Sequence, residues 1–445
     1  MAHREAMTID RDLALPVFER VTPRRPAVLP RPAAPWLFAL WLGTAAAMAA
    51  TAGLVLGVFA ALEAGPAAER WTQSVQAHGR VQLFGFLSPF VAALLLEFLP
   101  RLYQRPHPAA RWRAAVPGAL VARSLLGGFG HASSAVMDAV LFVGSVLQVV
   151  GAAGLVAVVW SLRPAHDWKR DPQALFLLGA PIWLLAATVI SWVSLAHAED
   201  GVSPLGESHA AAEVMIRGFA LFAIAGIAIR AFPGHLGLPP PTVRTQAVVL
   251  ALLTAGLASW IIGQGPGPLP GSNLAVRGGS IGTAAGLLLF SWSLGLHRLP
   301  HPWRGPRYGL LLPSAWLGGL TYGLLLLGWA ITGATFDLFE AGAVRHVFLL
   351  GFMTPLMVAM AHIVLARFGT GVIPWENALT VAFWLLVATW PMRVIPPLLG
   401  QAANDAGRSV MGVGGLVAIV AFALVAVVCL KTAYELRRPA FAAGR

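Results

Sequence analysis

Charge is scarce in this chain. Of its 445 residues, 11% are Asp, Glu, Lys or Arg, against roughly 25% in a soluble domain. Lysine is nearly missing: Lys169 and Lys431 are the only two among 31 cations. The single cysteine, Cys429, excludes an intramolecular disulfide. No Cys-x-x-Cys-His run is present, which excludes a covalently attached c-type haem. There is no glycine-rich nucleotide-binding loop and no stretch that reads as a soluble domain. The first 33 residues carry four acids and six arginines, without the apolar core of a cleavable signal peptide. They read as a cytoplasmic tail. The net charge of +12 is scattered rather than blocked, so it does not indicate a nucleic-acid partner. Most cations fall in short gaps between apolar runs, the pattern of cytoplasmic loops touching lipid head groups.

What the chain has is apolar sequence. Hydrophobic residues make up 57%, mean hydropathy is +0.72, and 47 glycines suit close helix packing in lipid. A bilayer core takes about 20 apolar residues per helix. Twelve spans are expected at 34–62, 71–99, 113–131, 136–162, 172–197, 208–232, 243–264, 276–297, 308–333, 342–368, 375–400 and 408–433. The fold class is therefore an all-α integral membrane protein. It divides into a tail at 1–33, a transmembrane domain at 34–433 and a tail at 434–445. With the N-terminus in the cytoplasm, 23 of the 31 cations fall in the tails or inner loops. The outer loop AHAEDGVSPLGES has three acids and no cation. Both termini are thus expected inside. No internal repeat is apparent, which argues against the commonest transporter architectures.

This orientation sets depth. His78 lies inside the second span, His131 and His197 at the outer ends of the third and fifth, His209 and His346 at the outer starts of the sixth and tenth. Five of twelve histidines therefore gather in the outer third of the membrane. Each alone also reads as an interfacial histidine. Imidazole is the usual ligand of haem iron and a good one for copper. His78, Gln82, Gly85 and Phe86 share a helix face, and a glycine there would let a flat macrocycle approach. The same face also suits helix packing. His209, Glu213 and Arg217 form an i, i+4, i+8 polar stripe that reads as a proton path, a ligand set or a strut. Leu350, Met353, Met357 and Met360 follow His346 as a stripe that reads first as packing. Arg70, Arg277 and Arg345 lie on the outer side, where the propionates of an edge-on haem would meet arginine.

Three stretches then resemble a known family: AHGRVQLFGFLSPFVAALLLEFLPRL (77–102), GALVARSLLGG (118–128) and RHVFLLGFMTPLMVAMAHIVLARF (345–368). They are similar to the NnrS family of haem- and copper-containing membrane proteins linked to nitric oxide tolerance and denitrification. More distantly, the plan resembles the catalytic subunit of haem–copper oxidases and nitric oxide reductases. The resemblance implies a subunit I-like bundle in a bacterial inner membrane. It implies a b-type haem between His78 and His346, with Gln82 and Gly85 beside it and Arg345 and Arg70 on its propionates. It implies copper or a second haem at His209 with His131, and Glu213 moving protons. Nitric oxide and an electron donor would be the partners, with membrane lipid and no nucleic acid. The seventh span has no histidine, where the oxidases carry an adjacent pair for copper. The readings left open are a cofactor-free transporter or channel, and a haem or metal sensor without turnover.

Overall fold

The computed structural model describes residues 34–62, 71–127, 135–165, 167–198, 202–264, 272–299, 307–333, 338–368, 373–402 and 404–438. The N-terminal tail expected at 1–33 lies outside them. Every element among the described residues is helical. There are twelve long helices: α1 (36–62), α2 (Trp71–Leu102), α3 (Ala110–Gly127), α4 (Ala135–Ser161), α5 (Pro172–Ala196), α6 (Leu205–Leu236), α7 (Val243–Gly263), α8 (Ser272–Ser293), α9 (Tyr308–Thr332), α10 (338–368), α11 (Glu376–Leu398) and α12 (Asp405–Arg437). Eleven are long and apolar enough to cross a membrane. The remaining one, α3, carries Arg111, Arg113 and Arg123 in 18 residues. A membrane imposes the helical form, because backbone groups in lipid have to bond within their own segment.

Helix ends are set by local chemistry. Asp171 caps α5 by accepting from the backbone N–H of Gln173 and Ala174, ahead of Pro172. Thr242 and Asn404 cap α7 and α12 in the same way. Gly237 and Gly333 end α6 and α9 in the left-handed conformation.

The helices recur in three sets of four. Corresponding helices start 133 to 137 residues apart; for α3, α7 and α11 both intervals are 133 (243 − 110 and 376 − 243). The central member of each set, α2, α6 and α10, widens into seven residues of π-helix: Val81–Leu87, Val214–Ala220 and Val347–Met353. These begin 133 residues apart (214 − 81 and 347 − 214), and each has Val first and Gly-Phe at its fifth and sixth positions. The expectation of no internal repeat is corrected here. The repeat is faint in sequence because apolar residues interchange freely in lipid. Identity survives where backbones approach closely. A Cβ on Gly85 would meet Ser124 of α3, one on Gly218 would meet Trp183 of α5, and one on Gly351 would meet Trp390 of α11.

Candidate functional site

The π-helical turns set the site. Such turns are rare and often mark functional positions. The residue immediately before each one is Arg80, Glu213 and His346. Each sits eight or nine residues from its helix start, roughly 12–14 Å at 1.5 Å per residue. A cavity of about 260 Å³ opens at this level, lined by α1, α2, α5, α6 and α10 to α12.

One wall holds a histidine pair. The rings of His78 and His346 lie 6.1 Å apart between centroids, with planes within 13°. The Nδ1–H of His78 donates to the Gly53 carbonyl at 2.7 Å, and that of His346 to the Gly342 carbonyl at 2.7 Å. These bonds select the tautomer that leaves Nε2 with its lone pair, the arrangement metal-ligating histidines use. Gly57 packs against His78 so tightly that a Cβ there would meet the ring at 2.7 Å. Beside the pair, Gly79 and Gly342 line the cavity, and a Cβ on either would meet nothing within 4 Å. That open strip against backbone suits a flat group. Arg393 of α11 also lines this wall, acts electrostatically on both histidines, and has no hydrogen bond or ion pair among the described residues.

A second cluster fills the seam between α6 and α10. Arg217 Nε donates to Glu213 Oε2 at 2.7 Å, and Arg345 Nε to Oε1 at 2.9 Å. Arg217 also reaches Ser280 Oγ at 3.4 Å and lies over the Trp260 ring at 5.3 Å. Both carboxylate oxygens already accept from guanidinium groups. Of the three readings open for this stripe, the geometry fits the strut, since the carboxylate ties together guanidinium groups of α6 and α10.

The expected site residues separate accordingly. His78, His346, Gln82, His209 and Arg345 all line the cavity. Gly85 faces Ser124 instead of a cavity, because the π-helical turn advances fewer degrees per residue and rotates it off the His78 face. Gln82 is tied back toward α1, donating to the Ala49 carbonyl at 3.4 Å. His197 is 58% exposed and bonds Glu207 at 2.8 Å, so it belongs to the surface. His131 and Arg70 lie outside the described residues. Among the described residues no group of three His, Cys, Asp or Glu could hold a metal ion, so His209 has no partners there for a second metal. Met353, Met357 and Met360 line a small apolar gap against α2 and α6, as packing residues do. Sequence reasoning left Arg80 without a role and gave Arg393 one only in a transporter's polar pathway. The signal for Arg80 was its alignment with Glu213 and His346 in the repeat.

The chain matches no protein-family model and no curated protein by sequence. It is similar in structure to a haem–copper terminal oxidase, determined as a dimer by cryo-electron microscopy. That likeness has a TM-score of 0.71 at 10% identity, and it covers 90% of this chain and 84% of the oxidase chain. The fold is thus that of a haem–copper oxidase subunit, in a multi-pass membrane protein.

Proposed function

We propose that this protein binds a b-type haem between His78 and His346 and acts in nitric oxide metabolism or nitrosative-stress tolerance in a bacterial inner membrane. The observation that carries the haem reading is the histidine pair. Two metal–nitrogen bonds of about 2 Å each, plus half a ring on either side, come to about the 6.1 Å separation. The carbonyl bonds to both Nδ1 atoms and the open strip at Gly79 and Gly342 support it further. Bound there, haem would supply one-electron transfer. Arg393 is placed to meet a propionate, with Arg345 offering its remaining N–H groups.

His78 and His346 would both be taken up in holding the haem, and a group held that way would supply electron transfer from an external donor rather than a site for nitric oxide. The nitric oxide connection rests on the resemblance of residues 77–102, 118–128 and 345–368. Copper or a second haem at His209 draws no support from the described donor set. Arg80 and Arg393, without hydrogen bond or ion pair among the described residues, favour a second reading, an intramembrane anion-binding or transport protein without haem.

The test is a reduced-minus-oxidised spectrum of the purified protein from haem-sufficient cells. The expected result is a Soret band with low-spin features, lost in both His78→Ala and His346→Ala. Absence of the band in the unaltered protein would overturn the haem reading; its retention in His346→Ala would overturn the pairing. Consumption of nitric oxide with a supplied donor then separates an enzyme from a carrier or sensor.

A further inference from the structure

The three residues before the π-helical turns occupy equivalent places in the three repeats, and each faces a seam between two central helices. His346 of α10 meets His78 of α2. Glu213 of α6 meets Arg345 of α10. Arg80 of α2 has no such counterpart. Shifting His78 and its neighbour Gly79 by the 133-residue repeat, or Val344 and Arg345 back by it, lands on Ala211 and Ala212 of α6. Both alanines line the cavity. Where two seams carry a partner side chain, the third carries space.

Arg80 has neither a hydrogen bond nor an ion pair among the described residues, and it lines that same cavity. An unpaired guanidinium within a membrane span is costly, and such groups mark sites that face a partner or a cavity. Nearby, Arg123 is buried on α3 and donates to Ser191 Oγ at 2.7 Å. Ser191 accepts that bond, so its own O–H is free to donate toward the cavity it lines. One turn on, Ser194 is 2% exposed, lines the cavity, and its Oγ has no hydrogen-bond partner. Gln76, four residues before Arg80 on the same face of α2, holds the α5–α6 connection in place. Its amide donates to the Ser203 carbonyl at 2.8 Å and accepts from the Ser203 N–H at 3.0 Å.

We propose that Arg80, Ser191 and Ser194 form a site for a carboxylate or small oxyanion in the seam between α2, α5 and α6. A guanidinium with two hydroxyl donors matches the planar oxygens of such a group. The site stands on geometry independent of the haem reading, and it would exist in haem-free protein. The carboxylate has two sources, a free anion such as formate or a propionate of bound haem.

The experiment is equilibrium dialysis of radiolabelled formate against the full chain in detergent, at constant chloride, with haem-loaded and haem-stripped preparations. One saturable site per chain is expected in stripped protein, with affinity reduced at least about tenfold in Arg80→Gln and several-fold in Ser194→Ala. Saturable binding that persists after haem loading assigns the site to a free oxyanion. Binding confined to the stripped protein assigns it to a haem propionate. No saturable formate in the stripped protein, or an unchanged affinity in both variants, overturns the proposal. Should Arg80→Gln fail to fold, Ser194→Ala decides alone. A protein without a Soret band fails the haem reading yet still undergoes this test.

Discussion

His107 shows at the scale of one residue how a site departs from its sequence reading. By sequence it sits in a proline-rich loop and reads as solvated. In the structure its side chain is 7% exposed, beside a buried Glu97 that bonds Arg101 and Arg113. Arg101 donates to its Nε2 at 3.0 Å. Burial, with Arg101 and Arg113 adding to it, pushes the imidazole down to about 4 from its ordinary 6.5, against a Glu97 carboxylate 3.9 Å away. The unfolded chain therefore takes up a proton below about 6.5 that the folded chain refuses until about 4. Stability is expected to fall across this window as pH drops, by at most about 3 kcal/mol from this group, and to level below it. Thermal midpoints between pH 7 and 4 check this. His107→Gln should flatten that part of the slope, and an unchanged slope would sink the assignment. Glu213 departs from its reading similarly: the i, i+4 pair with Arg217 was visible in sequence, whereas the second arginine lies 132 residues away.

Among the elements, α9 and α10 approach closely enough that a Cβ on Gly318 would collide with the Gly351 carbonyl, inside the π-helical turn that follows His346. Without a hydrophobic force between helices in lipid, such contacts hold the bundle together. Gly318→Ala is expected to lower the thermal midpoint, costing about 1–3 kcal/mol by overpacking. Gly328 is on the same helix with nothing within 4 Å of a Cβ, so Gly328→Ala should not lower it. Equal losses in the two variants would sink the assignment to the crossing, since alanine favours a helix over glycine at both positions. The positions of the helices were readable from apolar run lengths alone, but eleven of them are long and apolar enough to cross a membrane and α3, expected as a twelfth span, is not among these. The π-helical turns were not readable. Each contains a glycine that a neighbouring helix approaches closely, and a strict 3.6-residue period misplaced Gly85 because the wider turn changes the rotation per residue.

At the scale of the whole molecule, the charge bias of the sequence predicts that the α2–α3 and α6–α7 connections lie on the cytoplasmic side with the termini. Cys429 is fully buried, so introduced thiols can be read against a silent background. Cysteines at Gln264 and Thr332 are expected to react with an impermeant thiol reagent in intact cells, and cysteines at Gln104 and Thr242 only after permeabilisation. The reverse pattern would invert the topology. The amino-acid sequence by itself determined an all-helical membrane protein and where along the chain its long helices fall. It could do so because each span satisfies its own backbone in lipid, which makes length and composition sufficient. Only the tertiary structure decided which polar groups meet. His78 pairs with His346 and Glu213 with Arg345 across seams between distant helices, while Arg80 lines a cavity that Ala211 and Ala212 also line. Those pairings depend on how three similar sets of helices are arranged around one centre, and no local pattern in the chain encodes that arrangement.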